Sequence, residues 1–458
     1  MASLNFPDIQ GFVLSSYATK MPCANYFLLK ITDVKNCRAW LLQVLPDITT
    51  GTDRKNDFSL NIAFTSPALK QLGITDKELT TFSPAFQEGM ITATRQQILG
   101  DTGNSDPKNW AWGNEQYSVD ILLLLFAIDE TMLQKRVDIL KNTFVAASGI
   151  DLLQILAAGR QPDSKEHFGF LDGVGQPTIE GTGQKERQKN RTGHATELKA
   201  GEFVLGYENE MQKVDPLPAT GTMPEFGRNG TYLVFRQMEQ HVYDFWNYVK
   251  TTANSINTQS SIKDQEKLAA KMVGRWPSGA PISEYPDSDP APGSTNEENN
   301  FSYATADPSG FGCPIGAHIR RTNPRDSLFD DPDMSTLTVR RHRIIRRGRS
   351  YGDRTQDVYT DDGKSRGLHF ICINSNIERQ FEFIQQSWVN NLGFSTLDHE
   401  TDPLVGQRND NSVYSLQGCP ARTRIHNLPN FVTIKGGAYF FMPGMAALKE
   451  LTREPGTV

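Results

Sequence analysis

Eight consecutive residues, Ile121 to Ile128 (ILLLLFAI), carry no polar side chain. A run without alternation suits a strand covered on both faces rather than the edge of a half-exposed sheet. It is also far short of the roughly 20 apolar residues that cross a bilayer. The chain therefore has to supply enough structure to bury one strand from two sides. At 458 residues it is too long for one ordinary core, and two domains are expected.

The flanking patterns say what those layers are. Ala24 to Thr32, Ser59 to Phe64 and Ser118 to Ile128 read as strands, while Lys35 to Leu45, Ala68 to Leu72 and Glu130 to Ala147 have helical spacing of apolar residues. From about Gly159 to Pro224 periodicity fades into Gly-, Lys- and Glu-rich loops. Strand character returns at Gly230 to Gln237, followed by a helix from Val242 to Val249. The Pro-, Ser-, Asp- and Gly-rich stretch from Trp276 to Gly312 reads as loop. Leu368 to Ile373 and Phe431 to Phe441 are further strands, with a helix from Asn376 to Asn390 between them. Strands mixed with single helices, without regular βαβ spacing, predict an α+β fold with helices against antiparallel sheets.

Charge and cysteine content exclude several classes. A formal net charge of −6 argues against a nucleic-acid binder and against a polybasic membrane anchor. Five cysteines without CxxC spacing argue against a disulfide scaffold or a tetrahedral zinc site. Met1 to Asp8 has neither a basic start nor an apolar h-region, which fits a cytosolic protein or a mature chain with a new initiator methionine. Sequons at Asn190, Asn229 and Asn300 weakly favour the secreted case.

Four segments could carry chemistry. In Cys313-Pro314-Ile315-Gly316-Ala317-His318-Ile319-Arg320-Arg321-Thr322-Asn323-Pro324-Arg325 a single imidazole sits among small residues with arginines behind it. It reads as a structural histidine or as an axial ligand for haem iron, with guanidinium forks for the propionates. Gly169-Phe170-Leu171-Asp172-Gly173 is a turn aspartate or a carboxyl held in a partly apolar pocket. His342 to Gly352 (HRIIRRGRSYG) is the densest basic stretch, a solvated strand edge or a strand that aims Arg346 into a pocket. Lys271 to Pro281 (KMVGRWPSGAP) passes alone for a helix end running into a loop.

Taken together and in this order, these segments resemble the dye-decolourising peroxidase family, and most closely its fungal members. The resemblance also includes Asp8-Ile9-Gln10-Gly11, NGTYLVFRQ, RGLHF and GGAYFFMPG, and so covers most of the chain. It implies two ferredoxin-like domains, residues 1–224 carrying the GFLDG loop and residues 225–458 holding most of the haem b (iron protoporphyrin IX). His318 matches the proximal iron ligand, Asp172 the distal acid–base residue and Arg346 the distal arginine. Arg325 falls at a propionate-binding position, and Leu368 and Phe370 match the apolar pair of the distal pocket. Asp402 would orient the imidazole as a buried carboxylate behind it, with Asp398 close by as the alternative. Trp388 matches a tryptophan used for oxidation at the surface, and Tyr351 a less general relay tyrosine; plain packing is the other reading of both.

The activity so implied is oxidation of dyes, phenols and other bulky aromatic donors by hydrogen peroxide, in single-electron steps through a ferryl intermediate. Asp172 would move the peroxide proton and Arg346 would hold the developing charge. An extracellular mature protein is the expectation, with a cytoplasmic one as the alternative. A haem carrier or sensor without turnover is the competing function, but it needs no Asp172–Arg346 pair. A flavin or nicotinamide oxidoreductase lacks the GxGxxG loop after a strand. The acidic stretches Asp326 to Asp333 and Asp361–Asp362 could attract Mn(II), but solvated loop charge is the plainer reading, and no metal beyond haem iron is assigned.

Overall fold

In the computed structural model, which describes residues 3–53, 57–184, 196–290, 299–409 and 411–454, Ile121–Ala127 is a strand buried along its whole length. It is the third of four strands that make the first half's main sheet: β1 (Cys23–Ile31), β2 (Phe58–Phe64), β3 (Ile121–Ala127) and β4 (Ile150–Gly159). Helix α1 (Val34–Val44) follows β1 and α2 (Glu130–Ala147) follows β3. Each starts at an aspartate whose carboxylate accepts a first-turn N–H: Asp33 from Asn36 at 2.8 Å, Asp129 from Met132 at 2.7 Å. The sheet order is β2-β3-β1-β4, all antiparallel, which is the ferredoxin-like βαββαβ arrangement.

The second half repeats it. Its strands are β5 (Thr231–Gln240), the short pair β6 (Ile345–Arg346) and β7 (Arg349–Tyr351), β8 (Gly367–Asn374) and β9 (Val432–Met442). Helix α3 (Val242–Ile256) follows β5. Wide helical turns at Glu378–Glu382 and Ile384–Val389 follow β8, where an ordinary α-helix is expected from the sequence. Here β9 pairs with β5, β5 with β8, and β8 with both β6 and β7 along its other edge.

The two sheets do not stand apart. Phe441 of β9 pairs with Phe64 of β2, and Gly159 of β4 pairs with Ser350 of β7. These two seams close the sheets into one antiparallel barrel. Its interior holds Tyr26, Leu28, Leu122, Leu124, Phe126, Phe235 and Phe440. Rings from both halves meet there: Tyr26 lies edge-on to Phe235 at 5.7 Å and to His369 at 5.7 Å. Alternate residues of the same strands, such as Phe27, Leu123 and Leu125, pack outward with Trp40, Leu133, Val137 and Leu140 of the covering helices. Each such side chain contributes roughly 1.5–3 kcal/mol by leaving water.

The Asp8-Ile9-Gln10-Gly11 motif is structural. Gln10 Nε2 donates to the carbonyls of Ile62 and Pro443, each at 2.9 Å, and its Oε1 accepts from Ile62 N at 2.9 Å. A Cβ on Gly11 would come within 2.9 Å of the Thr50 carbonyl, so no larger residue fits.

Several expectations change. The basic stretch is not a solvated edge: Arg349 donates to the carbonyls of Ser16, Met21 and Pro22, and Arg347 to those of Phe12 and Val13. Of helix α4 (Ile262–Val273) only the end at Lys271 was read from the sequence, although Ser261 and Asp264 form a capping box at its start. Asn229 is buried, with its amide donating to Asp8 and its oxygen accepting from Tyr207, so no glycan fits there. Asn300 is exposed, and Asn190 lies outside the described residues. No helix among the described residues is long and apolar enough to cross a membrane.

Candidate active site

The outer face of β8 opens onto a cavity. Leu368 and Phe370, two residues apart and so on one face of the strand, both line it. Phe381, Ile384, Val389, Leu404 and Val405 extend this apolar wall.

His318 lines the same cavity from a short helical turn, His318–Thr322. Its Nδ1 lies 2.8 Å from Asp402 Oδ2, and Asp402 Oδ1 accepts from the N–H groups of Leu404 and Val405 at 2.9 and 3.0 Å. Burial alone would raise the Asp402 pKa, but the adjacent imidazole and the two backbone donors outweigh it and hold the carboxyl below its ordinary value. With Nδ1 engaged, Nε2 is the ring nitrogen left for the cavity. Asp398 sits at the surface beside His399.

Asp172 and Arg346 meet at another part of the lining. Arg346 Nη1 lies 3.3 Å from Asp172 Oδ1, and the side chains are 39 and 41% exposed. Both side chains are turned toward the cavity they line. Asp172 Oδ1 also accepts from Gly173 N at 2.6 Å. Gly169 and Gly173 flank the motif at φ +99° and +85°, in the left-handed region that other residues adopt only under strain. Arg346 is delivered by β6, whose pairing with Cys372 of β8 fixes its direction.

Four arginines, Arg275, Arg325, Arg343 and Arg346, line the cavity against two carboxylates, Glu166 and Asp172. Arg325, itself at φ +53°, donates to the carbonyls of Asn299 and Phe301 and to the Asn299 side chain, and stacks over the Phe301 ring at 3.8 Å. Arg343 donates to the Gly175 carbonyl at 3.0 Å. Burial and then the neighbouring arginines depress Arg343 to about 9 and Arg275 to about 10. Such a surplus of positive charge lining one cavity is stabilised by an anionic ligand. One imidazole backed by a carboxylate, an apolar slab and guanidinium forks together make a donor set that fits haem with its two propionates.

Sequence reasoning missed Glu166, Arg275, Arg343 and Asn299. The available signals were weak: Arg275 and Arg343 stand inside motifs that were noticed, and Glu166 stands three residues before the start of the GFLDG loop. Trp388, read either as a surface oxidation site or as packing, lies in the interior. It is 3% exposed, edge-on to Phe383 at 5.3 Å and to His342 at 5.5 Å, so no donor can stack on it directly. Tyr351 is half-buried outside the cavity lining and stacks on His369 at 4.5 Å. The acidic stretches serve the backbone and nearby arginines: Asp326 accepts from Tyr303 N, Asp331 caps the helix Pro332–Arg340, and Asp362 pairs with Arg366. No group of three or more His, Cys, Asp or Glu residues among the described residues is placed to hold a metal ion.

Known proteins share both the sequence pattern and the architecture. A model of the DyP dimeric alpha+beta barrel domain matches residues 8–158. A dye-decolorizing peroxidase of Mycetinis scorodonius is 30% identical over 98% of this chain and 88% of its own length. The multifunctional dye peroxidase DyP2 of an Amycolatopsis species is 30% identical over 86% of this chain and 82% of its own. Among solved structures, an ancestral D-type dye-decolorizing peroxidase superposes with a TM-score of 0.83 at 29% identity, covering 99% of this chain and all of that one. Fold and similarity define the class as a peroxidase built on an α+β barrel. The chain belongs to the dye-decolorizing peroxidase family, whose members are haem enzymes.

Proposed function

We propose that this chain binds haem b through His318 and uses hydrogen peroxide to oxidise dyes, phenols and other bulky aromatic donors one electron at a time. The observation that carries the reading is a single cavity joining a carboxylate-backed imidazole, an Asp172–Arg346 pair and a surplus of arginines. Solved relatives have been described in complex with 2,6-dimethoxyphenol and with cyanide, an aromatic donor and a small anion. When bound, haem supplies the iron centre that takes up the oxidising equivalents of peroxide.

The protein's own residues handle the protons and the charge. Asp172 accepts a proton from one oxygen of hydrogen peroxide and returns it to the other, which leaves as water. Arg346 keeps that carboxylate aimed and stabilises the negative charge that develops as the O–O bond lengthens. Arg325, assisted by Arg275 and Arg343, pairs with the propionates. Leu368 and Phe370 keep bulky donors and excess water out of the distal space. Electrons from such donors then travel inward, with Trp388 as an internal station and Tyr351 as a second route. The two ferredoxin-like units divide at residues 1–224 and 225–458, and most of the proposed haem contacts come from the second.

A haem carrier needs the imidazole but not the Asp172–Arg346 pair. Titrating the purified chain with hemin and then adding peroxide with 2,6-dimethoxyphenol separates the two functions. One-to-one uptake followed by multiple turnovers is expected; uptake without turnover would identify a carrier.

A further inference from the structure

We infer that Glu166 is the positioning residue that sets the aim of Asp172, by tying the distal loop to the strand that begins the second half of the barrel. This rests on the peroxidase reading above. Glu166 gathers three N–H donors on one carboxylate. Its Oε1 accepts from Phe170 N at 2.9 Å, and its Oε2 accepts from Phe168 N at 2.8 Å and from the Gln240 side-chain amide at 2.6 Å. The first two belong to the loop and the third to β5. The loop's own backbone bonds, Glu166 N to Phe170 O and Asp172 N to Ser164 O, close its base. The tip is fixed by Glu166 together with Trp246, whose Nε1 donates to the Phe168 carbonyl at 3.1 Å.

Asp172 stands two residues beyond the Phe170 N–H that Glu166 holds. Its side chain is half exposed, and its own contacts are Gly173 N and Arg346. Apart from Arg346, the loop's own conformation is what holds it in place, and a tenth of a nanometre of misplacement matters at a catalytic group. Glu166 and Asp172 also line the same two spaces, the main cavity and a polar pocket beside it.

The surroundings of Glu166 give the arrangement a titratable element. Asp172 faces it from the same loop, and Arg346 on β6 lines both spaces with it. Arg354, in the segment after β7, reaches the Lys165 and Glu166 carbonyls. The adjacent His167 ring turns away to the Tyr351 carbonyl at 2.8 Å. Burial pushes Glu166 up to about 7, with its three donors pulling down and Asp172 pushing further up. Once protonated it brings an O–H of its own to a site crowded with N–H donors. The loop is then held less firmly on the acid side of neutrality.

Two readouts test this. In the haem-free chain, amide exchange over residues 164–174, corrected for intrinsic rate, should rise at least tenfold in Glu166→Gln. In the wild type it should rise as pH falls through about 7. In the hemin-loaded protein, Glu166→Gln should slow the peroxide step at least tenfold and abolish an inflection near neutrality. Glu166→Asp should recover part of the rate. If Glu166→Gln does not fold, Gln240→Leu removes one donor that favours the carboxylate and should move the inflection to higher pH. Wild-type exchange, rate and pH profile in Glu166→Gln, or an inflection that stays put in Gln240→Leu, overturns the inference. A wild-type chain that takes up hemin but shows no peroxide step overturns the functional reading itself, and the role of Glu166 with it.

Discussion

Asp402 Oδ2 lies 2.8 Å from His318 Nδ1, and two backbone N–H groups hold the other oxygen of the same carboxylate. The imidazole is thereby fixed in tautomer and in rotation, with Nε2 toward the cavity. Replacing Asp402 with Asn keeps the shape but weakens the acceptor and removes its charge. Hemin affinity should drop by roughly 10–100-fold, the usual cost of losing the partner behind a metal-binding histidine. Competition for hemin with a reference apoprotein measures it; unchanged affinity would remove Asp402 from this role.

Asp172→Asn tests the proton-transfer step. The ferric absorption spectrum should stay close to wild type, because Asp172 lies apart from the His318–Asp402 unit. The reaction with peroxide should slow by about 10²–10⁴-fold, the span attributed to a well-placed acid–base group. Stopped-flow mixing with peroxide gives the number, and a wild-type rate would show that Arg346 suffices alone.

The arginines make a prediction of opposite signs. Arg343 is partly buried beside other cations, and desolvation and then those cations depress its pKa to about 9. Arg343→Met should stabilise the hemin-free protein by about 1 kcal/mol, since it removes a desolvated charge in the midst of like charges. The same change should weaken hemin binding, because a counter-charge for a propionate is gone. Thermal melts with and without hemin test both halves, and destabilisation of both states would contradict the charge argument.

His369 provides the pH dependence of stability. It sits inside the barrel against Tyr26, Phe235 and Tyr351, and burial lowers it from an ordinary 6.5 to about 4, only partly offset by its bond to the Ala157 carbonyl. The folded chain therefore resists protonation of a group that the unfolded chain protonates readily. Its contribution is complete above pH 6.5 and is lost as pH falls toward 4. The loss is roughly 3 kcal/mol at 1.36 kcal/mol per pKa unit. His369→Phe should flatten that part of the stability profile in denaturant titrations at pH 4, 5, 6 and 7.

How far these features could be read beforehand depended on which force left a mark in the sequence. The strand at Ile121–Ala127 and the helix at Glu130–Ala147 were legible because burial demands unbroken or periodic apolar residues. The strand at Ile150–Gly159 was not. Its pairing with β1 bulges at Leu153, and Leu153 and Gln154 are both open to solvent, so it shows neither a clean alternation nor a continuous apolar run. His318, Asp172 and Arg346 stood out by their glycine and arginine neighbours. Arg343 and Glu166 did not, because what gives them a role is burial by distant segments rather than local spacing. Trp388 reads as an amphipathic helix residue, yet Val339, Phe394 and Leu397 close over it.

The seams between the sheets carry a consequence for the evolution of this architecture. Each joint is short: strand pairing is limited to Phe441 with Phe64 on one side and Gly159 with Ser350 on the other, with a bridge from Trp112 to Gly436 beside the first. A half-molecule would present two bare strand margins, an invitation to self-association. Covalent linkage of the halves in one polypeptide keeps each margin supplied with its mate at high local concentration, so neither sheet has to meet solvent with an unpaired rim.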